Sequence, residues 1–87
     1  MFMAWGVMNG GLNVYMVIDR RKLGKIAAQN RLSAGWTQNE IALDIGCDVR
    51  TVSQFECGYT TSWRVFTWYV LNDILTVDDL KGCARHG

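Results

Sequence analysis

The chain has 87 residues, a net charge of +1, three cysteines, one histidine and no proline, and 49% of it is apolar. That length admits one small domain, near the lower limit of what a single apolar core can stabilise, and that composition excludes a disordered chain. Cys47, Cys57 and Cys83 are odd in number, lack C-x-x-C spacing and have only the penultimate His86 for company, so neither a zinc site nor a disulfide framework is expected, and a reducing compartment suits them. One terminal histidine with no nucleophile–base spacing leaves nothing from which to assemble a catalytic site, so no catalytic residue and no cofactor is expected. The charge is also uneven: positions 20–64 hold seven basic residues against four acidic ones, and the remainder is acidic by two.

Residues 1–18 carry no charge, and they admit three readings. Asn9-Gly10 is a strong two-residue hairpin turn between stretches rich in β-formers at 4–8 and 12–18, which reads as a hairpin or a single added strand. The run approaches the length of a membrane span, although its asparagines and glycines and the lack of a basic stretch before it weaken that reading. The third reading is a disordered upstream extension. An apolar hairpin on so small a protein would have to pack on its own domain or on a twin.

The helical period then takes over. A first helix is expected over residues 20–33, with Leu23, Ala27 and Ala34 facing inward, Gly35 as its C-cap and Trp36 plugging the gap to the next element. Thr37 and Glu40 form a capping-box pattern at the head of a second helix, Gln38–Ile45. Ala42 is small where two short helices would nearly touch, Gly46 suits a turn at positive φ, and Cys47 fills the core there. Asp48 is the N-cap of a third helix, residues 49–57. Val49, Val52 and Phe55 make its inward stripe and leave Arg50, Thr51, Ser53 and Gln54 outward, and Gly58 stops it.

Thr61 or Ser62 caps a fourth helix, residues 63–72, and Thr76 a short fifth, residues 77–81. Asp78 and Asp79 stand in the first turn of the fifth as partners of the helix dipole rather than as catalytic acids. The fourth helix is apolar all round: Phe66, Tyr69 and Val70 share one face, while Trp68 and Leu71 project from the other. One domain does not cover both sides, so Trp68 and Leu71 are expected at a dimer interface, against the apolar N-terminal segment, or both.

Arg31, Gly35, Thr37, Gln38, Glu40 to Ala42, Gly46, Val52, Ser53, Glu56 and Gly58 together resemble the Xre/Cro family of phage and bacterial repressors, over about residues 19–81. The resemblance implies an all-α, five-helix, lambda-repressor-like helix-turn-helix domain, with or without an N-terminal strand or hairpin, whose third helix lies in the major groove of double-stranded DNA. It divides the chain into an extension at 1–18, the domain at 19–82 and a tail at 83–87. It implies that Arg50 reads guanine, Gln54 reads adenine and Thr51 meets a thymine methyl or a phosphate. Gln38, Thr37, Ser53, Thr61 and Arg64 fall at positions that touch the DNA backbone. Arg31 and Glu56 are placed as a structural charge pair between the first and third helices. Asn30 departs from the pattern, standing where the family has an apolar residue. For Arg50, Gln54, Thr51 and Arg64 a solvated surface position stays open as the plain alternative.

The resulting expectation is a homodimeric, cytoplasmic, nucleoid-associated transcriptional regulator that binds a palindromic operator without metal, cofactor or membrane. The alternative is a protein-binding module on the same scaffold, such as an antitoxin or a phage-encoded inhibitor, which engages its partner through the fourth helix or the N-terminal segment.

Overall fold

Five helices carry residues 20–83 in the computed structural model, which describes residues 16–86. Helix α1 (Arg20–Ala34) starts where the Asp19 carboxylate accepts the amides of Arg21 and Lys22, and it ends at Gly35, whose φ of 84° completes a left-handed cap. Helix α2 (Gln38–Ile45) opens with the complete Thr37–Glu40 capping box and closes at Gly46, also at φ 84°. Helix α3 (Val49–Glu56) is capped by Asp48, α4 (Trp63–Leu71) by Ser62, and α5 (Val77–Cys83) by a capping box of Thr76 and Asp79. Each helix start is therefore capped by a side chain within three positions of the amide it accepts.

Before α1, strand β1 (Met16–Ile18) pairs antiparallel with β2 (Ala84–His86), Val17 opposite Arg85. The Asp19 amide donates to the Cys83 carbonyl at 2.9 Å and continues that pairing into the helices. Met16–Ile18 thus takes its partner from the segment expected as a tail. The rest of the expected hairpin, including Asn9-Gly10, lies outside the described residues.

The core gathers Leu23 and Ala27 of α1, Ile41 of α2, Val52 and Phe55 of α3 and Tyr69 of α4, all at most 2% exposed. Helix α1 crosses α3 at Gly24, where a Cβ would lie 2.4 Å from the Glu56 carbonyl oxygen and 2.6 Å from that of Phe55. Glycine in mid-helix costs about 0.5–1 kcal/mol relative to alanine, and here it permits a backbone approach that no other residue would.

Several expectations are corrected. Ala34 is exposed, because α1 ends there and Gly35 turns the chain away. Helix α3 stops at Glu56, with Cys57 as its cap, and α5 runs on to Cys83, which is fully buried. Trp68 does not project from the domain. It is 8% exposed, its ring stands edge-on to Trp36 at 4.9 Å, and its indole Nε1 donates to Asp44 Oδ2 at 2.6 Å. The domain therefore covers this ring itself, and Trp68 is not a dimer-surface residue; Leu71, 75% exposed, and Trp63, 73% exposed, remain outside. Asn30 is satisfied by polar groups: its Nδ2 donates to the Ile74 carbonyl at 2.8 Å and to Asp79 Oδ2 at 3.1 Å, which ties α1 to the head of α5.

Among the described residues no helix is long and apolar enough to cross a membrane, and no cluster of His, Cys, Asp and Glu is arranged to hold a metal ion.

Candidate nucleic-acid interface

Helix α3 turns Val52, Phe55 and Glu56 into the protein. At about 100° per residue, Arg50 and Gln54 fall on the side opposite these three, with Thr51 and Ser53 at the flanks. The burial pattern agrees: Arg50 and Gln54 are exposed, Thr51 and Ser53 half-buried. The Arg50 side chain, 83% exposed, has Asp48 as its ion-pair partner at 3.5 Å. Asp48 also accepts the Arg50 amide at 2.8 Å, and this bond holds its carboxyl below the usual carboxylate range. The outward face thus presents a guanidinium and an amide one helical turn apart, above a helix anchored on its other side.

The anchor is Glu56. Its carboxylate accepts Arg31 Nε at 2.7 Å and Arg31 Nη2 at 3.1 Å, Gln38 Nε2 at 2.8 Å, and the Tyr69 hydroxyl. Arg31 also donates from Nη1 to the Trp36 carbonyl at 2.9 Å. Three helices therefore converge on one carboxylate of α3, which fixes its axial rotation. The bond to Glu56 raises the Arg31 pKa above its ordinary value, and burial, followed by the bond to Glu56, raises that of Tyr69.

Of the expected backbone-contact residues, Gln38 is turned toward Glu56 and half-buried, Thr37 is exposed and spends its oxygen on the α2 cap, and Thr61 is exposed. Arg64 is exposed, yet Nη2 donates to the carbonyls of Ile45 and Gly46 at 3.1 and 3.4 Å, so it seals the C-terminal end of α2 beside the turn into α3.

Sequence reasoning missed Tyr69 as a member of the Glu56 cluster, Arg64 as a cap and Gly24 as the crossing point. Tyr69 carried a usable signal, since a tyrosine on an inward stripe brings a hydroxyl that needs a buried partner. Compared with known proteins, the chain matches no family model, no curated protein and no solved structure.

Proposed function

We propose that the chain is a DNA-binding transcriptional regulator of the Xre/Cro type, reading a palindromic operator as a homodimer with α3 in the major groove. The observation that carries this reading is the placement of Arg50 and Gln54 on the side of α3 opposite its buried stripe, while Glu56 locks the other side to three further helices. Arg50 suits the O6 and N7 acceptors of guanine, and Gln54 the N6 donor and N7 acceptor of adenine; Thr51 at the flank suits a thymine methyl. Gln38 gives one amide hydrogen to Glu56 and keeps a second for a phosphate. Arg64 uses Nη2 on α2 and keeps further N–H groups, and Thr37, Ser53 and Thr61 add hydroxyls.

The basic excess in residues 20–64 is three charges, so affinity rests on base contacts and on doubling the half-site more than on a strong field. Leu71 and Trp63 are the apolar surface on which a second subunit would close, with the two α3 helices about 34 Å apart. Such a protein works in the cytoplasm at the nucleoid. The same two side chains, around a groove with Ile45 and Thr67, support a second reading, a module that binds another protein, such as an antitoxin or an inhibitor.

Selection of bound duplexes from random DNA separates the two. An enriched palindrome with half-sites one helical turn apart supports the regulator; absence of enrichment, with no salt-dependent affinity for any duplex, overturns it in favour of the protein-binding module.

A further inference from the structure

The amides of Tyr59 and Thr60 both return to the Gln54 carbonyl, at 2.9 and 3.4 Å, so the loop after α3 folds over that helix's C-terminal end. Within this loop Gly58, at φ 79°, packs so tightly on the head of α1 that a Cβ there would lie 2.8 Å from the Arg21 Cα. The two elements frame an open basin lined by Ile18, Asp19, Arg20, Arg21, Gly58 and Tyr59. Both arginines are exposed, and so is Tyr59, at 72%. Lys22 and Lys25, also exposed, carry the same sign of charge further along α1. Asp19 is the acidic member, but its carboxylate accepts the amides of Arg21 and Lys22 at 3.1 and 3.2 Å. The helix start is thus satisfied by the chain itself, and the basin offers side-chain donors: two guanidinium groups and a phenol.

We propose that this basin holds a backbone phosphate of DNA at the C-terminal margin of α3, with Arg20 and Arg21 as charged donors and the Tyr59 hydroxyl as a neutral one. The proposal rests on the reading of α3 as the groove-bound helix. With its side chains an α-helix is about 10–12 Å across and so fills the B-DNA major groove, about 12 Å wide, between two phosphate walls. Groups beside the C-terminal end of α3 then stand at such a wall. Continuity supplies the partner: Gln54 on the outward face is bonded through its own carbonyl to the loop that carries Tyr59. A site of this kind adds affinity without sequence preference, which a domain of low net charge needs.

The test uses the full chain and its Arg20→Gln and Tyr59→Phe variants, since Arg21 also packs on Gly58. Binding is measured on the selected operator and on a random duplex across a salt series, with phosphate-ethylation interference on the operator. Arg20→Gln is expected to weaken both duplexes equally and to lower the log–log salt slope by about 0.9 per half-site. Tyr59→Phe is expected to weaken both about tenfold or more per half-site, one hydrogen bond from a neutral donor to a charged acceptor, at unchanged slope. Both variants should lose sensitivity to ethylation at one and the same phosphate. Unchanged affinity and slope in the variants, or losses confined to the operator, overturn the proposal while the wild-type protein still binds DNA. If the wild-type protein binds no duplex, the proposal falls together with the reading of α3.

Discussion

Arg31 and Glu56 face each other across the α1–α3 crossing as a fork, Nε to Oε2 at 2.7 Å and Nη2 to Oε1 at 3.1 Å, with side chains only 10% and 4% exposed. Two parallel charge-assisted bonds fix both distance and rotation between the helices. Breaking one side of a buried pair leaves an uncompensated charge, so Arg31→Ala is expected to cost about 3–5 kcal/mol of folding stability. The Arg31→Ala/Glu56→Ala double variant should recover part of that, because it removes the stranded carboxylate as well. Urea unfolding of the single and double variants reads the coupling; a single-variant loss below about 1 kcal/mol would put the pair in the class of solvated surface bridges.

Gly24→Ala probes the same crossing through the backbone. The added methyl would sit 2.4 Å from the Glu56 carbonyl oxygen, and that atom belongs to a helix backbone that cannot swing aside. Alanine ordinarily stabilises a helix interior, yet here the overpacking is expected to outweigh that gain and cost about 1–3 kcal/mol net. Thermal unfolding checks it: a melting temperature equal to or above that of the wild type would mean that α1 and α3 part without cost.

The Tyr69 hydroxyl donates to Glu56, and its pKa is raised above the ordinary 10.0, first by burial and then by that bond. Above pH 10 the unfolded chain therefore gives up this proton while the folded chain keeps it. The folded state then binds more protons, and stability falls as pH rises, by up to about 1.4 kcal/mol per unit. At neutral pH the wild type should exceed Tyr69→Phe by about 1–3 kcal/mol, since Glu56 loses a donor. That margin should shrink between pH 10 and 11 as the wild type alone pays the proton linkage. Denaturant unfolding of the two proteins at pH 7, 10 and 11 gives the margin directly; a constant difference would place the Tyr69 hydroxyl in contact with water.

What was legible in the sequence is local. The boxes at Thr37–Glu40 and the caps at Asp48, Gly35 and Gly46 depend on residues within about four positions of each other, and they stand as expected. The outward placement of Arg50 and Gln54 follows from period alone. The illegible features depend on which helix lies opposite. Helical spacing sets Trp68 apart from Tyr69, but it does not show that Trp36, from the α1–α2 link, reaches across to cover its ring. Gly24 reads as an ordinary weak point until the α3 carbonyls are found above it. The pairing of Met16–Ile18 with Ala84–His86 joins the two ends of the described chain, a distance in sequence over which no periodic pattern carries.

With α3 in the major groove as proposed, Arg50, Gln54 and Arg64 have different expected signatures. Arg50 and Gln54 sit on the outward face, their side chains committed to no buried partner among the described residues. Replacing either with alanine should leave stability nearly unchanged, weaken operator binding by about 1–3 kcal/mol per half-site and relax preference at one base position, while non-specific affinity stays almost constant. Arg64 caps the Ile45 and Gly46 carbonyls at the turn into α3, so Arg64→Ala should lower the melting temperature. It should also weaken binding to every sequence, with a salt slope smaller by about one unit per half-site if its remaining donors hold a phosphate. Fluorescence anisotropy on operator and random duplexes across a salt series, paired with thermal unfolding, separates these effects. Equal losses on both duplexes for Arg50→Ala would make it a phosphate contact. A lower melting temperature for Arg64→Ala at unchanged salt slope would leave it a cap alone. Undiminished binding by the triple variant of Arg50, Gln54 and Gln38 would mean that this face of α3 does not meet DNA, and the exposed Trp63 and Leu71 would then mark the surface that matters.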